Sequence, residues 1–177
     1  MPGGPSFFVA ARAPPVIVAA AKRSRSVDNS TNPLDIGVWY LDWAWGLSLI
    51  VSTVVVHVSG LAFIESAAAR IAGAIPQRFR RIRFAAVMGV VGWLAAALHG
   101  IDATVWAVAF RLLGAVPTNR EAMLYSLSAL TTYGHAGVFL APGWQLLGAM
   151  EALCGILLFG LTTACMLQVM QRLSTRG

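Results

Sequence analysis

Three stretches of the chain, 38–64, 84–113 and 144–170, carry long apolar runs with very few charges. Each is long enough to cross a hydrocarbon core about 30 Å thick, which takes roughly 20 residues of helix. A segment in lipid has no water for its backbone N–H and C=O groups, and a helix satisfies them internally. The pattern therefore predicts an all-α integral membrane protein with three transmembrane helices. Composition agrees. The chain is 58% hydrophobic and 11% charged, against about 25% charged in soluble domains, with a mean hydropathy of +0.71.

The net charge of +6 would suit a nucleic-acid partner if the basic residues formed one stripe. They sit instead at the ends of the apolar segments, which is how membrane proteins are oriented, so the expected partner is a lipid bilayer and not nucleic acid. Arg70, Arg78, Arg80, Arg81 and Arg83 crowd a connector at 66–83, between a first span at 37–65 and a second that begins at 84. That places the connector in the cytoplasm. Arg172 and Arg176 follow the last span and put the C-terminus there too. Trp39, Tyr40, Trp43 and Trp45 form an aromatic belt at the start of the first span, with Asp42 expected to be solvated among them. Residues 1–36 read as a flexible or surface-lying leader broken by Pro2, Pro5, Pro14 and Pro15. Cys154 and Cys165 are eleven residues apart on one helix, about 16 Å of rise, and cannot bond to each other.

A fourth apolar stretch, 121–130, holds too few residues to cross. Thr118 and Glu121 have the spacing of a capping box, so a short helix starts there. Thr131, Thr132, Tyr133, Gly134, His135, Ala136 and Gly137 follow. A short helix and an irregular loop between two spans predict a re-entrant excursion, tolerated at membrane depth only when buried in protein or lining water.

The segment Glu121-Ala-Met-Leu-Tyr-Ser-Leu-Ser-Ala-Leu-Thr-Thr-Tyr-Gly-His-Ala resembles the pore helix and filter of bacterial potassium-channel-family proteins, in the three-span branch. There an apolar pore helix runs into Thr-Thr-x-Gly-Tyr-Gly-Asp. The stretch from Trp144 to Gly160, with Glu151-Ala152 and Phe159-Gly160, is similar to that family's inner helix, and 99–117 to its outer helix; the likeness covers roughly 47–172. It implies a pore domain at 84–172, with an outer helix at 84–113, a pore helix at 119–131 bearing Glu121, Tyr125, Ser126 and Ser128, a filter at 131–137 and an inner helix at 144–170. It also implies a homotetramer in the bacterial inner membrane that passes potassium or another monovalent cation passively, with no bound cofactor. In such a filter, backbone carbonyls and a Thr hydroxyl from four subunits replace the ion's hydration shell.

Three residues depart from the family pattern. Ala136 stands where the family has its second glycine. An alanine held left-handed costs roughly 1–2 kcal/mol, and a tetramer would incur that four times. His135 replaces an aromatic residue and Gly137 an aspartate. These departures support an alternative expectation, a non-conducting channel-like subunit with a structural or regulatory role. A further membrane partner is left open.

His57, His99, Asp102 and Glu151 are polar residues inside spans, and such residues are functional candidates by default. Spacing puts only His99 and Asp102 on one helix face. A tetrahedral metal needs three or four converging ligands, so interhelical hydrogen bonding is expected and no metal. With no hydrolase triad, phosphate-cradling loop or zinc spacing, no enzymatic activity is expected, and no transporter-type repeat is present.

Overall fold

The computed structural model describes residues 33–134 and 137–175, and every regular element among them is helical. α1 spans Pro33–Ala74, a 3₁₀ turn follows at Gln77–Phe79, α2 spans Arg80–Leu112, α3 spans Asn119–Leu130 and α4 spans Gln145–Thr175. The stretches Trp39–Ala74, Gln77–Leu112 and Gln145–Thr175 are long and apolar enough to cross a membrane. This is a multi-pass membrane architecture. The leader lies outside the described residues, save that 33–36 open α1. Pro33 suits that position, because a first-turn residue has no intrahelical N–H bond to lose.

The Arg-rich connector is mostly helix rather than loop. Ala67, Ala68, Ala69, Ala72 and Ala74 carry α1 through the first nine residues of the expected connector, since alanine is the best helix former. Pro76 then disfavours a helical Ile75 and stops the helix, and α2 restarts at Arg80. The break shrinks to 75–79.

Two apolar cores build the bundle. One joins Trp106 and Phe110 of α2, Tyr125, Ala129 and Leu130 of α3, and Leu147 and Leu158 of α4. The other joins Leu61 and Ile64 of α1, Val87 and Val91 of α2, and Val169 of α4. Large apolar side chains such as Val51, Phe63, Trp93, Leu153 and Ile156 face outward. That is an ordinary surface for lipid and an unusual one for water.

α3 packs against both α2 and α4. Its close seat on α4 depends on Gly155. A Cβ there would run into the Leu130 carbonyl oxygen and lie 2.8 Å from the Leu130 Cα. The obstacle is backbone, which cannot swing aside as a flexible side chain would. Gly155→Ala is therefore expected to destabilise the protein by about 1–3 kcal/mol, read as a lowered unfolding temperature in detergent. Gly92→Ala is the control. A Cβ at Gly92 meets nothing within 4 Å, so the same change should be neutral or stabilise by up to about 1 kcal/mol.

Candidate functional site

Between the two cores, three helices meet through polar side chains. His57 of α1 and Asp102 of α2 are fully buried, and His57 Nδ1 lies 2.6 Å from Asp102 Oδ2. His57 Nε2 lies 3.0 Å from Thr162 Oγ1 of α4. Thr162 Oγ1 lies 3.2 Å from His99 Nε2, back on α2. The His99 ring also stacks on Phe159, with centroids 4.2 Å apart.

Two proton patterns close this chain of contacts. With neutral rings, His57 Nδ1–H donates to the carboxylate, the Thr162 hydroxyl donates to His57 Nε2, and His99 Nε2–H donates to Thr162. With one added proton, His57 donates from both nitrogens, and Thr162 donates to His99 Nε2. The second pattern pairs the carboxylate with an imidazolium and leaves no net charge on the cluster. In either pattern His99 Nδ1 and Asp102 Oδ1 have no hydrogen-bond partner among the described residues; His99 Nδ1 is 3.9 Å from Asp102 Oδ2, too far for a hydrogen bond.

Spacing alone joined only His99 and Asp102. The fold adds His57 and brings in Thr162, which sequence reasoning missed. The ligand atoms of His57, His99 and Asp102 fall within 4.8 Å of one another, a tighter convergence than spacing predicts. Glu151 does not join them. It lies eleven residues before Thr162 on α4, about 16 Å along the axis, and faces the Ser126 hydroxyl of α3. Glu151 and Ser126 are both fully buried, and neither side chain completes a hydrogen bond among the described residues. Asp42 is buried rather than solvated among the tryptophans.

α3 begins as expected. The Thr118 hydroxyl accepts from Glu121 N–H at 3.2 Å and donates to the Glu121 carboxylate at 2.9 Å. Arg111, at the end of α2, holds the preceding loop. It donates to the Val116 and Pro117 carbonyls at 2.7 Å each and to Asn119 Oδ1 at 2.8 Å. Tyr125 packs edge-on to Phe110, its hydroxyl in the hollow left by Gly148. Ser128 donates back to the Leu124 carbonyl.

The far end of α3 is unusual. Thr132 N–H donates to Ala129 O and Tyr133 N–H to Ser128 O, both at 3.0 Å, the paired bonds of a Schellman motif. The left-handed position of that motif normally takes glycine. α2 obeys this with Gly114 at φ +68, whereas α3 uses Thr132 at φ +56. A β-branched residue there is a true conformational outlier, and such strain concentrates at functional sites. Residues 131–134 are all exposed, and Gly134 has φ +88. The Thr131 hydroxyl donates back to Leu127 O at 2.6 Å. Beyond the strip, Ala141 N–H donates to Ala115 O at 2.9 Å, so the segments before and after this excursion touch. His135 and Ala136 lie outside the described residues.

No family model, curated protein or solved structure matches the chain.

The His57–Asp102 contact predicts a measurable coupling. Asp102→Ala leaves the His57 ring buried without its partner and should cost about 1–3 kcal/mol. The His57→Ala/Asp102→Ala double variant should cost less than the two single changes added together, by about 0.6 kcal/mol, the average for polar pairs in membranes, and by no more than about 1.7 kcal/mol. Equilibrium unfolding in mixed micelles measures all three.

Proposed function

We propose that the chain is one subunit of a passive monovalent cation pore, potassium favoured, assembled as a homotetramer in a bacterial inner membrane with its C-terminus in the cytoplasm. α3 is the re-entrant pore helix, 131–137 is the filter segment, and its described residues 131–134 face the ion path. The bond between Ala141 and Ala115 carries this reading, because it supports entry and exit of the excursion at one place. A twelve-residue helix is about 18 Å long, too short to cross alone.

The backbone of the strip suits cation coordination. φ is positive at Thr132 and Gly134 but not at Tyr133 between them. Alternating handedness turns successive carbonyls toward one side, where an extended strand would alternate them. By donating its proton inward to Leu127, Thr131 leaves its oxygen lone pairs for a cation. The C-terminal end of α3 adds partial negative charge nearby. One chain supplies a quarter of a closed ring of oxygens, so the reading requires four copies.

The second reading is a channel-like subunit that does not conduct. It is favoured by the Schellman bonds, which hold the Ser128 and Ala129 carbonyls for the helix end, and by Gly137, which is left-handed at φ +78 where the family has aspartate.

Purified protein in potassium-loaded liposomes, assayed for flux under potassium and sodium gradients, separates the two. The pore reading predicts potassium flux exceeding sodium flux, and loss of that flux in Gly134→Ala, whose Cβ the φ of +88 disfavours. Flux appearing only in Ala136→Gly would mean a pore scaffold disabled at one position. No flux from the wild-type or Ala136→Gly proteins, with tetramers present, would establish the non-conducting reading.

A further inference from the structure

Arg83, near the start of α2, is 5% exposed and has no hydrogen-bond or ion-pair partner among the described residues. A buried guanidinium presents five N–H donors, and leaving such a charge unpaired is costly. The Arg83 side chain lines two cavities. One, of about 380 Å³, lies between α1, α2 and α4, with Ala68, Ala72, Val87, Val169 and Leu173 on its walls. The other, of about 430 Å³, is lined by Arg80, Arg81, Phe84 and Ser174 as well as Arg83.

Among the described residues, no acid pairs with this arginine cluster. The carboxylate lining the first cavity, Glu65, accepts from Arg172 Nη1 at 3.4 Å. Rotating the Gln168 amide to satisfy both neighbours also lets its nitrogen donate to Glu65 Oε1 at 2.8 Å. Arg78 is placed elsewhere, with its guanidinium over the Phe79 ring. What remains is a buried fork of donors flanked by two exposed arginines. Apolar Ile82 and Phe84, 61% and 42% exposed, stand beside it. A planar guanidinium matches a phosphate with two parallel hydrogen bonds.

We propose that these cavities bind the phosphate head group of an anionic phospholipid. Arg83 holds the phosphate from below, Arg80 and Arg81 flank its mouth, and the acyl chains run along Ile82 and Phe84. Basic pockets between helix ends, level with the head groups, bind such lipids elsewhere. Inorganic phosphate would satisfy the guanidinium equally but would leave the apolar flank unused, so the lipid is the favoured source. The site is independent of whether the pore conducts.

Thermal unfolding in a non-ionic detergent tests this, with phosphatidylglycerol, phosphatidylcholine or inorganic phosphate added. Phosphatidylglycerol should raise Tm and the other two should not. Arg83→Gln should abolish the rise without lowering Tm in detergent alone, because it discards an unpaired buried charge. Arg120→Gln, remote from these cavities, should keep the full rise. An equal rise with phosphatidylcholine or with inorganic phosphate would overturn the assignment, as would a full rise in Arg83→Gln. Should Arg83→Gln fail to fold, the exposed pair Arg80→Gln/Arg81→Gln decides: a reduced rise supports the site, and an unchanged one overturns it.

Discussion

The hydrogen bond between His57 and Asp102 lies where lipid has nothing to offer in its place. Apolar helices in a bilayer gain little by touching each other, since lipid tails are as apolar as leucine. Two greasy cores alone would let three long helices rotate and slide. A buried carboxylate is different, because it must meet a donor or remain unsatisfied. Asp102 finds His57, His57 finds Thr162, and Thr162 finds His99. That chain sets the rotation of α1 against α2 and of α4 against both. Gly60 then allows α1 to approach Leu98, and Gly46 allows it to approach Met150.

With the long helices set, α3 has one place to sit. Arg111 ties down the loop that leads into it, Thr118 starts it, Gly148 admits Tyr125, and Gly155 admits its last turn. The helix then ends in a left-handed threonine where α2, closing with the same motif, uses a glycine. The contrast within one chain shows that the fold can close a helix without strain and does not do so at α3. This is the structural feature that a purely structural role for 131–134 explains least well.

Much of this was legible in the sequence because its causes are local. Apolar length marks three helices, and a threonine three residues before a glutamate marks the start of α3. The Ala-rich end of α1 is equally local, but the arginines beside it suggested a loop. Its helix propensity outweighs them until Pro76. The polar contacts were half legible. His99 and Asp102 share a face by spacing, but their meeting with His57 and Thr162 depends on how three helices pack, and no periodicity encodes that. Thr162 looked like any small polar residue on a span. Arg83 enters the sequence reading only as charge, and Arg111 not at all. The first is buried and the second clamps a loop, a difference that tertiary structure alone creates.

The most direct test is whether the excursion through α3 leaves and returns on one face of the membrane. Single cysteines at Arg120→Cys, Pro142→Cys and Arg78→Cys can be labelled in sealed vesicles with an impermeant maleimide. Cys154 and Cys165 are buried, so the wild-type protein should stay unlabelled. A re-entrant α3 predicts that Arg120→Cys and Pro142→Cys react from the same side and Arg78→Cys from the other. Reaction of Arg120→Cys and Pro142→Cys from opposite sides would make α3 part of a crossing segment and contradict the pore architecture.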